Sequence, residues 1–405
     1  MSLNSLLSDV SLPSELSVVP AVDAANYFFE GAEKLLEIWF DVEQQGATSL
    51  RTIPYNELVA MLDVAQCHIL HCKSNERMDS YVLSESSMFV SDARIILKTC
   101  GTTRLLHTVG PLLDLAHRYC HMDNVINVFY SRKNFMRPEM QPHPHNSFEG
   151  EIEYLDNYFQ DGAAYCMGSL KQDRWFLYTM SIPQAPLPYA DHTLEIMMTE
   201  MPNEVMTVFT RAACRDAKEC TKKSGIDRVV PFGTTIHEEL FDPCGYSMNG
   251  LVPKSKSGID RVVPFGTTIH EELFDPCGYS MNGLVPKSDQ YVTIHVTPEP
   301  EFSYVSFETN QNSMCLYKQT LRVIDIFKPN KFLLTVFANE RSIKGKETQQ
   351  NLWEREITGY KRVNLQYLRL QHETLVYAQY VKRKGTGVKN VPLRRIITDD
   401  DGHSD

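Results

Sequence analysis

The stretch LSESSMFV, residues 83–90, sets Ser-Glu-Ser-Ser in the middle of a run, 81–90, that otherwise has the composition of a buried strand. Strand pleating predicts Val82, Ser84, Ser86, Met88 and Val90 on one face, so the Ser86 hydroxyl points among apolar side chains and must find a partner there. A serine bonded to nearby backbone is the ordinary outcome at such a position. The next run, SDARIILKTCGTT, adds something: a tight turn near Asp92 and Ala93 folds residues 94–100 back antiparallel. Counting outward from that turn brings Cys100 opposite Ser86 to within one residue, so a hydroxyl and a thiol face each other across two strands.

A second constellation is acidic. Asp191 and Glu195 in DHTLEIMM share one strand face, and Glu308 ends SYVSFE. Buried together, such like charges are costly unless a cation compensates them; at an exposed strand edge they need nothing. His295 in TIHVT, taken alone, reads as a half-buried strand histidine. CHILHC (67–72) and HPH (143–145) look like metal ligands, but neither has a second half at zinc spacing, so no metal site is expected. Met198, Met201 and Met206 read as core filler.

The elements that must position these groups belong to a chain of 405 residues, 42% hydrophobic and 10% aromatic, enough for one large α/β body or two intimate halves. Residues 26–40, NYFFEGAEKLLEIWF, carry apolar side chains at helical spacing and are expected to be helical, with an extended start up to Gly31. A helix is expected over about 105–119, interrupted early by Gly110 and Pro111. Downstream, AAYCMGS, WFLYTMSI, HTLEIMMTEM, YVTIHVT, SYVSFET and KFLLTVFAN read as strands, and PNEVMTVFTRA and MCLYKQTLRVIDIF as helices. A helix-and-strand set in each half predicts two similar halves packed together.

Residues 223–255 are repeated without a change as 256–288. Solenoid repeats of this length drift in sequence and need about three copies to bury a shared core, so two identical ones read as a recent duplication or a gene-model error with one copy structurally redundant. The first 25 residues read as a flexible lead, because no Lys or Arg precedes Lys34 to make a signal or transit peptide. The acidic-ended stretch 383–405 reads as a solvated tail. A net charge of -11 argues against nucleic acid, no run is apolar enough to span a membrane, and ten scattered cysteines without a CxxC pair read as reduced cytoplasmic thiols.

YVLSESSMFVS, ILKTCGTT, FFEGAEKLLEIWF, VFYSRKNFMRP, GAAYCMG, DPCGYSMNG and TIHVTPEPEFSYVSFETN together resemble eukaryotic S-adenosylmethionine decarboxylase, in order from about Phe28 to Phe337. The resemblance implies an α+β fold, a four-layer α/β/β/α sandwich of two antiparallel sheets flanked by helices, over residues 26–382. It implies a proenzyme that cuts its own Glu85–Ser86 bond, turning Ser86 into a pyruvoyl group that binds substrate as a Schiff base. The residue types suit that chemistry: a serine hydroxyl can attack the preceding carbonyl to form an ester, and loss of the serine α-proton then expels the Glu85 carboxylate.

By the same resemblance, His295 is the processing base and the serine of PCGYSMNG a processing residue. That serine is Ser280, with Ser247 its duplicate, because the second copy keeps the short connection to YVTIHVT. Cys100 is implied as the proton donor, and Glu30 and Glu33 as glutamates needed for activity or processing. Phe29 and Phe274 (duplicate Phe241) are implied to sandwich adenine, with Leu83 and Glu85 also at the substrate and Glu299 on the ribose. Asp191, Glu195 and Glu308 are implied to bind putrescine, an activating dication. The expected activity is decarboxylation of S-adenosylmethionine for spermidine and spermine synthesis, by a homodimer of processed protomers. The rival expectation is an unprocessed or regulatory paralogue disabled by the duplicated segment.

Overall fold

The computed structural model describes residues 28–181, 186–210, 213–215, 217–224, 235–241, 245–251, 268–273, 279–284, 288–312 and 315–383. The expected lead and the tail beyond Arg383 lie outside them, as does Phe274. In chain order the first half runs β1 (Lys34–Phe40), α1 (Tyr55–Val64), β2 (Ile69–Ser74), β3 (Met78–Leu83), β4 (Ser86–Ser91), β5 (Arg94–Thr99), α2 (Val109–Cys120), β6 (Val125–Lys133), α3 (Phe148–Asp156), β7 (Gly162–Gly168) and β8 (Arg174–Met180). The second half opens with β9 (His192–Thr199), α4 (Asn203–Met206), α5 (Ala217–Ser224), β10 (Thr235–Phe241), β11 (Gly245–Leu251), β12 (Thr268–Leu273) and β13 (Tyr279–Leu284). It continues through β14 (Tyr291–Thr297), β15 (Tyr304–Thr309), α6 (Leu316–Phe327), β16 (Lys331–Asn339), α7 (Ile343–Glu354), β17 (Tyr360–Arg369) and β18 (Glu373–Lys382).

One sheet has the order β2-β3-β4-β5-β1-β6-β8-β7 and the other β10-β11-β12-β13-β14-β15-β9-β16-β18-β17. Without β10 and β11 the second order repeats the first term for term, β12 standing for β2, β14 for β4 and β9 for β1. The two similar halves are therefore two sheets of one topology, and the first copy of the repeat supplies the surplus pair. Each sheet packs helices on its outer face: α1, α2 and α3 against the first through Leu58, Leu112 and Leu155, and α6 and α7 against the second through Val323, Ile324 and Leu352. Between the sheets lie Trp175, Leu177, Met197 and Tyr377 at one end and Phe89, Ile96, Leu284 and Tyr291 at the other. This is the expected four-layer sandwich of antiparallel sheets.

Two expectations fail locally. Residues 34–40 form a strand, not a helix, because β1 sits in the middle of its sheet between β5 and β6 and is buried along its whole length. A strand covered on both faces loses the polar-apolar alternation that marks strands, and its continuous apolar run mimics a helix. Leu36, Ile38 and Phe40 meet the helices, while Leu35, Glu37 and Trp39 face the other sheet.

Residues 81–90 are not one strand either: β3 and β4 form a hairpin whose last pair is Leu83 with Ser86, leaving Ser84 and Glu85 as its turn. The turn resets the alternation. Tyr81 and Leu83, not Val82, share a layer with Met88 and Val90. The expected turn at Asp92 and Ala93 is present, and β4 pairs β5 with Ser86 opposite Thr99.

Candidate active site

Strict alternation along β4 would send Ser86 toward the helices with Met88 and Val90. Its φ of +142° prevents this. A non-glycine residue in that region carries about 1–3 kcal/mol of strain, and the bend turns the hydroxyl toward the second sheet. There the Ser86 hydroxyl donates to Glu33 Oε1 at 3.0 Å and lies 3.3 Å from both ring nitrogens of His295. The hairpin thus presents Ser86, strained at its φ, and the Glu85–Ser86 bond before it to a carboxylate and an imidazole.

The imidazole is held from several sides. Its Nδ1 lies 2.5 Å from Glu33 Oε1, and its Nε2 lies 2.8 Å from the Ser87 hydroxyl. Ser87 donates to Asn282 Oδ1 at 2.7 Å, and Asn282 is oriented by its own donation to the Tyr81 carbonyl and by the Thr293 hydroxyl. A hydroxyl has one proton, and here it goes to Asn282, so the ring must donate Nε2–H to Ser87. Burial alone would raise Glu33, but Lys98 and His295 hold its carboxyl far below the usual carboxylate range. Ser280 pairs with His295 across β13 and β14, and its fully buried hydroxyl has no hydrogen-bond partner. Such an unused donor is rare and fits a group that meets its partner only during a reaction.

On the other side of the Glu85–Ser86 bond, the Glu85 carbonyl accepts the Cys100 backbone N–H at 2.9 Å and the Cys100 thiol at 3.2 Å. Two donors on one carbonyl oxygen are the arrangement that stabilises negative charge developing there. Burial, with Glu85 and Glu33 nearby, pushes the Cys100 thiol well above its ordinary range and keeps its proton in place. Burial likewise raises the Glu85 carboxyl to about 7 and lowers the Lys34 ammonium to about 8. Lys34 Nζ donates to the Gly101 carbonyl at 3.0 Å.

Phe29, Glu30, Glu85, Gly101 and Gln141 line a cavity of about 170 Å³ beside this centre. Gly101 has φ +62°, and a Cβ there would stand 2.9 Å from the Phe29 ring, so glycine keeps that wall open. Glu30 Oε2 accepts the Met136 N–H at 2.7 Å, and burial raises its carboxyl above the ordinary value. Leu83 is fully buried at the end of β3. Glu299 lies half-buried after β14 and is not among the residues lining this cavity.

A third cluster sits between the sheets. Asp191, Glu195 and Glu308 share a narrow cavity with Glu37 and Glu373, walled by Trp39, Trp175 and Phe337. Lys98 reaches Glu308 at 2.7 Å, Glu195 at 3.3 Å and Glu33 at 3.4 Å, which links this cluster through Glu33 to Ser86. Arg94 stands 3.6 Å from Glu37 and 3.9 Å from Asp191. Burial raises Glu37, Glu195 and Glu373 to about 7 each and lifts Asp191 above its usual value. Two fixed cations for this many buried carboxyls leave negative charge unmatched above neutral pH.

The sequence reading brought Ser86, Cys100, His295, Glu33 and Ser280 together, and here they converge. It missed Glu37, Lys98, Ser87 and Asn282. Lys98 carried a signal, a lone cation inside the apolar run IILKTC. Within HPH, His145 is buried against Glu151 at 2.8 Å and accepts from the Leu106 N–H.

The family model for adenosylmethionine decarboxylase matches residues 26–257 and 252–381, its two segments meeting at the repeat. The S-adenosylmethionine decarboxylase proenzyme of Onchocerca volvulus is 56% identical over 94% of this chain and 96% of its own length. That of Caenorhabditis elegans is 52% identical over 89% and 90%, and that of Xenopus laevis 42% over 89% and 97%. Among solved structures, a Trypanosoma brucei AdoMetDC-delta26 monomer is similar in fold, with a TM-score of 0.50 and 22% identity over 73% of this chain and 99% of that one.

Proposed function

Because the chain belongs to the adenosylmethionine decarboxylase family, and is a decarboxylase acting on S-adenosylmethionine, we propose that it matures by cutting its own Glu85–Ser86 bond. The observation that carries this is the strained Ser86 hydroxyl held between Glu33 and His295. The hydroxyl attacks the Glu85 carbonyl, whose oxygen takes up negative charge between the Cys100 N–H and thiol, and collapse breaks the C–N bond to leave an ester and a free Ser86 amine. His295 then removes the Ser86 α-proton, the Cβ–Oγ bond breaks, and Glu85 leaves as a carboxylate. The remaining enamine tautomerises, and water hydrolyses it to a pyruvoyl group and ammonia.

That group, once made, supplies an electrophilic ketone that serves as an electron sink when carbon dioxide leaves the substrate. The chain's own residues do the rest. Phe29 and Gly101 shape the pocket for a flat base, buried Glu30 and Glu85 suit a cationic sulfonium, and Cys100 keeps a proton to return to carbon. Phe274 and Glu299 complete the reading from the family motif alone. Cys100→Ala is expected to be cut more slowly, since one carbonyl donor of two remains, and to lose about 10²–10⁴-fold in turnover of the cut enzyme. Gel analysis of cutting and carbon dioxide release measure the two separately. Unchanged turnover would remove Cys100 from the proton step.

The acidic cavity is proposed to hold putrescine, whose two ammonium groups would match the carboxyls that Arg94 and Lys98 leave unpaired. Lys98 would carry the effect to Glu33. The raised carboxyls accept protons as pH falls through about 7 and lose the charge that attracts a dication. The melting temperature is therefore expected to rise by several degrees with putrescine at pH 8 and much less at pH 6. Equal shifts at both pH values, or none at pH 8, would place the diamine elsewhere.

A further inference from the structure

The two copies of the repeat are identical in sequence, and their hairpins keep one internal register. Thr235 pairs with Leu251 in β10–β11 as Thr268 pairs with Leu284 in β12–β13. The second hairpin lies against β14 and sets Ser280 opposite His295, while the first is joined to it through β11 and β12. Every residue of one hairpin has a twin in the other. In the order β12-β13-β10-β11-β14, each of these strand contacts would be remade by the same residue types. The β11–β14 ladder would copy β13–β14 with Ser247 opposite His295, and β13–β10 would copy β11–β12.

Only the connections differ. As observed, β10 is the outermost strand and stands ten residues after α5, while β13 and β14 are neighbours with six residues of sequence between them. Exchanged, residues 225–234 would lead straight to the inner pair, as 65–68 lead from α1 to β2, and 285–290 would cross three strand spacings. That crossing is ~14 Å, within the ~20 Å that six extended residues reach. The exchanged arrangement relaxes the first link and stretches two, since the 16 residues between β11 and β12 would also cross three strand spacings, and neither arrangement loses a strand pair.

We propose that the chain folds into both arrangements, so that Ser280 supplies the hydroxyl opposite His295 in some molecules and Ser247 in the others. The inference rests on reading that serine as necessary for cutting the Glu85–Ser86 bond. Interchange would require breaking the β14 ladder, so each molecule keeps the arrangement in which it folded.

The test follows cutting on a denaturing gel to its plateau in full-length Ser280→Ala, Ser247→Ala and the double variant. Each single variant is expected to stop at a partial plateau, the two cut fractions summing to that of the parent, with the double variant uncut. Asn282→Ala and Asn249→Ala, which differ by copy in the same way, are expected to divide the population in the same proportions. If Ser280→Ala is as uncut as the double variant while Ser247→Ala is cut like the parent, only one arrangement forms and the proposal is wrong. If the double variant is still cut, the serine is not needed for maturation, and the underlying reading fails first.

Discussion

A chain carrying Ser86→Ala is expected to remain a single 46.4 kDa polypeptide, while the parent is expected to separate into residues 1–85 and 86–405. Alanine removes both the nucleophile and the leaving oxygen, so neither the ester nor the elimination can occur. No ketone forms, and carbon dioxide release should fall to the uncatalysed background, a loss of at least about 10⁶-fold. The fold should survive, because the change removes one hydroxyl and its bond to Glu33, about 1 kcal/mol. Intact mass, a denaturing gel and a thermal melt check the three parts. A parent that itself stays uncut would transfer the assignment to an unprocessed, regulatory role, since the strained hairpin would then be a static feature.

Much of this site was legible because its chemistry lies on short runs with unusual residues. Ser86, Cys100 and the Asp92–Ala93 turn fix one another by counting, since antiparallel pairing makes register a matter of arithmetic once the turn is known. What was illegible depends on neighbours far away in the chain. Residues 34–40 read as helix because only the partners β5 and β6 make them a central strand. The Ser84–Glu85 turn was hidden because it uses neither glycine nor asparagine and is paid for in strain at Ser86. Glu37 could not be joined to Asp191 and Glu308 by periodicity, since they come from opposite sheets and meet only across the sandwich.

The pseudo-repeat of the two sheets shows where the duplicated segment enters the fold. It enters at β12 and β13, the counterparts of β2 and β3. Those lie at the edge of the first sheet, where strands can be appended without disturbing the ladder beside them. An equal insertion between β15 and β9 would have separated Glu308 from Glu195, which are paired residue to residue, and opened the acidic cluster.

His295→Ala separates the two chemical stages of maturation. In the parent the Ser86 hydroxyl donates to Glu33 Oε1 at 3.0 Å, so the attack on Glu85 has an acceptor for its proton other than the imidazole. Part of what holds the Glu33 carboxyl so low is His295 itself; without the ring, Glu33 becomes more basic and better able to take that proton. Ester formation should therefore continue. The later step needs a base at the Ser86 α-carbon, and losing it should slow elimination by about 10²–10⁴-fold. The variant is thus expected to accumulate as a full-length chain of unchanged mass that hydroxylamine splits at Glu85, because an ester is open to that nucleophile and an amide is not. A full-length chain resistant to hydroxylamine would instead make His295 the base for the hydroxyl, acting before the ester exists. Cutting at the parental rate would remove His295 from maturation and leave Glu33 as the group that moves both protons.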